Sequence, residues 1–98
     1  MAHLEFNELK LRTLAIFAAK GSLTPPEWAV SARFYPVRAS YTYLLRLHRW
    51  GLLLRYSARG RVVYSLSARG RRRLTWLRVR EARLRTQRAL SVLSPGEL

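Results

Sequence analysis

The sequence predicts one small α+β domain, mostly α-helical, in which three helices are followed by a β-hairpin and a long C-terminal helix. The length of 98 residues suits a single domain. Apolar residues recur at helical spacing in four segments, and the alternating segment Arg61–Leu66 follows a glycine turn. The hydrophobic content of 49% supplies a core and argues against a disordered chain.

The first helix is predicted over residues 4–20, because Gly21 then takes the position of a C-terminal cap. Its apolar face consists of Leu11, Leu14, Ala15 and Ala18. The second helix is predicted over Pro25–Ala32. Thr24 and Glu27 stand at the spacing of a capping box, and proline is favoured at a first helical position.

The third helix is predicted over Pro36–Trp50 and is amphipathic. Its predicted core face consists of Val37, Tyr41, Leu44 and His48, with Leu47 at the edge. A hairpin over residues 52–66 should follow, made of the strands Leu52–Tyr56 and Arg61–Leu66. The turn Ser57–Gly60 joins these strands and places Arg59 at the tip.

Ser67 is predicted as the N-cap of a last helix over Ala68–Leu93, which Pro95 should end. Leu77 and Leu84 form one apolar stripe of this helix. A second stripe consists of Val79, Ala82, Thr86, Leu90 and Leu93. Two stripes predict that one packs on the domain and the other on a partner helix in a homodimer. A helix that folds back on its own domain, or lies on an anionic membrane, remains an alternative.

We therefore divide the chain into a domain over 1–76 and a C-terminal extension over 77–98, a possible dimerisation element. The chain has 19 Lys and Arg against 5 Asp and Glu, a net charge of +14. This excess predicts a polyanionic partner. No cysteine is present, and no apolar run is long enough to cross a membrane. We expect a cytoplasmic, nucleoid-associated protein without a membrane partner.

The predicted order of elements is that of a winged helix-turn-helix domain. The segments 41–53 (YTYLLRLHRWGLL) and 60–74 (GRVVYSLSARGRRRL) resemble the recognition helix and the wing of bacterial transcriptional regulators. The spacing of Tyr41, Leu44 and Leu47 is closest to PadR-like regulators, and MarR-like domains come next. The resemblance covers about residues 9–77. It implies sequence-specific binding of double-stranded DNA, usually as a dimer that uses a C-terminal helix.

The candidate DNA-binding residues of the third helix share its outer face, which would lie in the major groove. They are Arg38, Thr42, Arg46 and Arg49. Arginine donates two hydrogen bonds to guanine, and threonine contacts a thymine methyl or a phosphate. Tyr43 stands beside this face and is a candidate phosphate contact.

Arg59 and Arg61 on the hairpin are candidates for the minor groove or the backbone. Arg33 and the N-termini of the second and third helices could position phosphates. Three aromatic side chains and one histidine are interpreted as core residues instead: Trp28, Tyr41, Tyr64 and His48.

An enzyme is not expected. Glu27 is explained as a capping residue, and no Ser–His pair or phosphate-binding glycine loop is present. The two histidines are isolated, so no metal site is predicted, and neither a cofactor nor a small-molecule ligand is expected. The alternative function is a winged-helix interaction module that binds structured RNA or an acidic protein.

Overall fold

A computed structural model of the protein describes residues 6–92. The elements in chain order are α1 (Phe6–Lys20), α2 (Pro25–Ala32), α3 (Ala39–Arg49), β1 (Leu53–Ala58), β2 (Arg61–Leu66) and α4 (Ala68–Val92). The predicted fold class is confirmed: helices and one antiparallel two-stranded hairpin occur in the expected order. The predicted helix residues 4, 5 and 93, and the stop at Pro95, lie outside the described residues.

The start of α2 is fixed by short-range hydrogen bonds. The Glu27 N–H donates to Thr24 Oγ1 at 3.3 Å, and the Thr24 N–H donates to Glu27 Oε1 at 2.8 Å. The predicted capping box is therefore confirmed. The helix ends at Arg33, whose φ of 54° lies in the left-handed region.

An aromatic cluster at the centre of the core joins α2 to α3. The ring centroid of Trp28 lies 4.9 Å from that of Phe34 and 5.5 Å from that of Tyr43. α1 closes the cluster with Leu14 and Phe17, which are both buried. The remaining buried members of the core are Ala29, Ala32, Leu44, Leu47, Leu52, Leu53, Tyr64, Leu66, Leu74 and Leu77.

The predicted start of α3 was wrong, because the helix begins at Ala39 and not at Pro36. Residues 36–38 form a tight turn after a cis Tyr35–Pro36 bond. The Ala39 N–H donates to Pro36 O at 3.0 Å. The two residues are three positions apart, as in a β-turn, whereas an α-helix bonds residues four positions apart. Arg38 is consequently the N-cap of α3.

The predicted core face of α3 was wrong at Tyr41, whereas Leu44 and Leu47 are buried and Val37 and His48 are partly buried, as predicted. The buried residues are Ser40, Tyr43, Leu44 and Leu47. Ser40 is tolerated there because its hydroxyl donates to Val37 O at 2.5 Å and needs no partner from the core. This local bond makes a polar residue compatible with a buried position that an apolar pattern does not detect.

The hairpin has a tighter turn than predicted. β1 extends to Ala58, which pairs with Arg61, so Arg59 and Gly60 alone form the turn. Both have positive φ, 53° and 74°, as a two-residue type I′ turn requires. Leu23 also pairs with Tyr64 through two backbone hydrogen bonds of 2.9 Å, which attach the hairpin to the segment before α2.

The beginning of α4 is held by Ser67, as predicted. Its Oγ accepts from the Gly70 N–H at 2.9 Å and donates to Gly51 O at 2.6 Å. α4 then continues without a break to Val92, so the predicted boundary between residues 76 and 77 falls inside one helix. That 77–98 acts as a separate element stays a prediction.

The two apolar stripes of α4 have different surroundings. Leu77 is buried, and Leu77 and Leu84 line a groove against Leu11 of α1, so this stripe folds back on the domain. Val79 and Leu90 of the other stripe are 46% and 64% exposed. The second stripe therefore has no covering within residues 6–92.

Replacing Gly70 with alanine should destabilise the fold. Intrinsic helix propensity alone predicts a gain of about 1 kcal/mol from Gly to Ala. A Cβ at this position, however, would lie 2.1 Å from Leu52 O and 2.8 Å from Leu66 Cδ1. We expect a net loss of roughly 2 kcal/mol or more in the free energy of unfolding, measured by urea denaturation.

The matched control is Ala82→Gly on the exposed part of the same helix. It should cost about 1 kcal/mol through propensity alone. A stabilised Gly70→Ala variant would contradict the close packing of α4 on the turn after α3.

Candidate nucleic-acid interface

The outer face of α3 is polar and cationic. Arg38, Thr42, Arg46 and Arg49 are all exposed, on the side of the helix opposite the buried residues. The aromatic cluster fixes this rotation, because turning α3 would withdraw Tyr43 from Trp28 and Phe34. The structure thus brings together the four α3 residues that the sequence singled out.

Tyr41 and Tyr43 have exchanged the positions that were predicted for them. Tyr43 is only 8% exposed and packs in the core, so its predicted role as a surface phosphate contact is corrected. Burial raises the pKa of Tyr43, against the opposing effect of its hydrogen bond with Thr13. Tyr41, predicted in the core, is 50% exposed.

The hairpin lies beside α3, and a cleft of about 480 Å³ separates them. Tyr41 from α3, Arg61 from β2 and the start of α2 all line this cleft. The remaining lining residues are Thr24, Pro25, Pro26, Glu27, Gly60 and Val62. Arg59 is exposed at the hairpin tip. The absence of a small-molecule ligand stays a prediction.

The N-terminus of α2 is unsuited to a phosphate, contrary to expectation. Pro25 and Pro26 have no N–H, and the Glu27 N–H is already bound by Thr24. The Glu27 carboxylate also occupies this end. Hydrogen bonds from Thr24, with a smaller contribution from the charge of Arg61, lower the pKa of Glu27 and favour its anionic form.

The first N–H groups of α3 are occupied as well. The Ser40 N–H donates to Val37 O at 2.9 Å, and the Tyr41 N–H donates to Arg38 O at 3.3 Å. The predicted phosphate contacts at both helix N-termini are therefore corrected, because a bound N–H is not available to an anion. Arg33 is exposed, and its contact with phosphate stays a prediction.

His48 is half-buried, and its Nδ1 donates to Leu53 O at 2.9 Å, in agreement with a packed histidine. Within the described part of the chain, no cluster of histidine and acidic residues could hold a metal ion. Among the same residues, no helix has the length and apolar character needed to cross a membrane.

Comparison with known proteins identifies the fold. No protein-family model matches the chain, and no curated protein sequence matches it. YusO from Bacillus subtilis aligns over 91% of this chain with a TM-score of 0.72 and 24% identity. MepR, a transcription regulator of the Staphylococcus aureus multidrug efflux pump MepA, aligns over 91% with a TM-score of 0.72 and 23% identity.

A third structure, the DNA-binding protein Sso10a-2 from Sulfolobus solfataricus, is 19% identical with a TM-score of 0.68. The chain covers 96% of Sso10a-2, 67% of MepR and 64% of YusO, which is less than two thirds of YusO. These similarities confirm the predicted winged helix-turn-helix fold. The narrower PadR-like assignment stays a prediction.

Replacing Arg59 with asparagine should stabilise the fold but weaken DNA binding. A residue other than glycine, asparagine or aspartate in the left-handed region costs roughly 1 kcal/mol, because its Cβ approaches the backbone carbonyl. Arg59 has a φ of 53°. Arg59→Asn should therefore raise the free energy of unfolding by up to about 1 kcal/mol and weaken binding to duplex DNA, measured by denaturation and fluorescence anisotropy.

Arg61→Asn is the control, since it removes the same charge from a strand position without a positive φ. It should not stabilise the fold. Unchanged DNA affinity in Arg59→Asn would remove the hairpin tip from the interface.

Proposed function

We propose that the protein is a transcriptional regulator that binds double-stranded DNA sequence-specifically, with α3 in the major groove and the hairpin as the wing. The observation that carries this proposal is the cationic outer face of α3, which the aromatic core holds outward beside the hairpin. MepR is described as a transcription regulator and Sso10a-2 as a DNA-binding protein, which supports the assignment. Such a protein would act on the nucleoid in the cytoplasm.

Each side chain of the interface has a distinct proposed role. Arg46 and Arg49 project from the middle and end of α3 and are suited to bidentate bonds with guanine O6 and N7. Thr42 supplies a methyl for thymine. Arg59 at the hairpin tip and Arg61 beside it bind the minor groove or the backbone.

Tyr41 is an addition to the residues that the sequence indicated. Its exposed ring lines the same cleft as Arg61, and we assign to its hydroxyl the phosphate-binding role that the buried Tyr43 cannot perform. Tyr41 is identified by the observed rotation of α3 about its axis, because the apolar pattern of the sequence did not determine which tyrosine faces outward.

Replacing Arg46 with alanine should weaken binding to the preferred duplex by ~1–3 kcal/mol and relax the base preference at one position. The physical reason is the loss of two directed hydrogen bonds to a base edge. Anisotropy titrations on the preferred duplex and on single-base variants of it would measure both effects.

Arg78→Ala on α4 is the control, because it removes one exposed arginine away from α3. It should preserve the base preference. Equal losses for Arg46→Ala on every duplex and on structured RNA would instead favour the alternative of a nonspecific interaction module that binds RNA or an acidic protein.

We further propose that the protein forms a homodimer through the exposed Val79 stripe of α4. Val79 and Leu90 are large apolar side chains in contact with solvent, which is unfavourable in an isolated molecule. Arginine dominates the rest of α4, so two copies of this helix repel each other at low salt.

Dimerisation should therefore strengthen as salt rises, which sedimentation equilibrium would detect as an increase in average mass. Val79→Arg should keep the protein monomeric at every salt concentration. A monomer mass for the unaltered protein at micromolar concentration and high salt would contradict the dimer.

A further inference from the structure

A strip of arginine and tryptophan side chains follows α4 on a face that the proposed groove contact does not use. We call it the Arg–Trp strip. It consists of Arg69, Arg72, Arg73, Trp76, Arg80 and Arg83. Arg69, Arg72, Arg73 and Trp76 line one cleft of about 450 Å³. Trp76 also lines a second cleft of about 410 Å³ with Val79, Arg80 and Arg83, so the two clefts adjoin and the strip borders the proposed dimer stripe at Val79.

The strip is continuous with the outer face of α3. A third cleft, of about 340 Å³, is lined by Arg69 and Arg73 of the strip together with Arg49 and Trp50 at the end of α3. Arg49 of α3 therefore borders the strip. A duplex bound along α3 that extends past Arg49 meets Arg69 and Arg73 next.

Acidic side chains lie at one border of the strip only. No acidic residue lines any of the three clefts, whereas Glu8 and Glu81 line the groove between α1 and α4, which Arg80 of the strip also lines. Lys10 at the edge of the strip has a lowered pKa because of burial and, to a smaller extent, the nearby charge of Arg73. A single-sign surface of this kind is complementary to a polyanion.

Trp76 prepares two guanidinium groups for phosphate. The guanidinium carbons of Arg73 and Arg80 lie 5.6 Å and 5.9 Å from the indole centroid, within cation–π distance. The indole ring attracts each guanidinium group, and the N–H donors at the edge of the guanidinium remain able to form paired hydrogen bonds with phosphate oxygens. Because Arg73 and Arg80 both contact the indole, Trp76 is better suited to position these arginines than to stack on a nucleic-acid base.

We propose that the Arg–Trp strip binds the phosphate backbone of the same DNA duplex beyond the segment read by α3. This inference rests on the proposed function, since the groove contact places the duplex next to Arg49. It adds a length requirement: full affinity needs a duplex that extends past the groove site on the side of α4. It adds no base preference, because phosphates carry no sequence information directly.

The test compares two triple variants of the full chain on long and short duplexes. The first, Arg72→Gln, Arg73→Gln and Arg80→Gln, removes charges of the strip. The matched control, Arg71→Gln, Arg78→Gln and Arg85→Gln, removes as many exposed charges from roughly the opposite face of α4, at 100° per residue. Circular dichroism checks that both variants are folded, and the measured quantity is the slope of log affinity against log salt.

On the long duplex, the strip variant should have a shallower salt slope, by about 0.9 for each phosphate that it no longer neutralises. Its base preference should equal that of the unaltered protein. The control should keep the original slope, and lysine at the three strip positions should restore it, because lysine also neutralises phosphate. On a duplex that ends at the groove site, the two triple variants should bind alike.

Equal slopes for the strip and control variants on the long duplex would overturn the proposal, even if Arg46→Ala lost base preference as expected. A shallower slope for the strip variant without any base preference in the unaltered protein would support the strip and reject sequence-specific binding. A loss confined to structured RNA or to anionic lipid vesicles, with duplex binding intact, would overturn the proposal and assign the strip to that other polyanion.

Discussion

Packing of Trp28 against Phe34 and Tyr43 determines which side of α3 faces outward, and the nucleic-acid surface depends on that rotation. Three aromatic rings from α2, the connection and α3 fill one volume, so a change of rotation would open a cavity at the centre of the core. Because Tyr43 points inward, the side opposite to it carries Arg38, Thr42 and Arg49. The aromatic packing therefore places the arginines of α3 together on its outer side.

The hairpin and α4 are joined to this centre by backbone contacts. The Leu23–Tyr64 pair attaches β2 to the segment before α2, and Ser67 connects the start of α4 to Gly51. Gly70 allows α4 to approach Leu52 so closely that no larger residue fits. These contacts connect the hairpin, the end of α3 and the start of the Arg–Trp strip to one another.

Features that short-range chemistry decides were predictable from the sequence. The capping box at Thr24 and the N-cap at Ser67 each involve residues three positions apart, and both are present. The rotation of α3 was not predictable, because tyrosine suits both a core and a surface. It depends on Ser40 bonding its own turn and on which tyrosine meets Trp28. The outer face of α3 was nevertheless predicted correctly, because its arginines are too costly to bury in a core.

The helix N-termini were misjudged for a related reason. The general attraction of a helix N-terminus for anions fails where prolines and Glu27 occupy the end, and where a tight turn consumes the first N–H groups of α3. The covering of the two α4 stripes could not be deduced either, because periodicity defines a face but not its partner. The continuity of the Arg–Trp strip with α3 could not be predicted either, because it depends on the tertiary contact that places Arg49 beside Arg69 and Arg73.

The most direct measurement is a selection of bound duplexes from a random DNA library at near-physiological salt. We expect an enriched motif in which one position loses its base preference in Arg46→Ala. For a dimer, two inverted half-sites should have centres about one helical turn apart. No enrichment, together with binding that simply collapses as salt rises, would contradict sequence-specific recognition by α3 and would mean that the net charge of +14 attracts any polyanion.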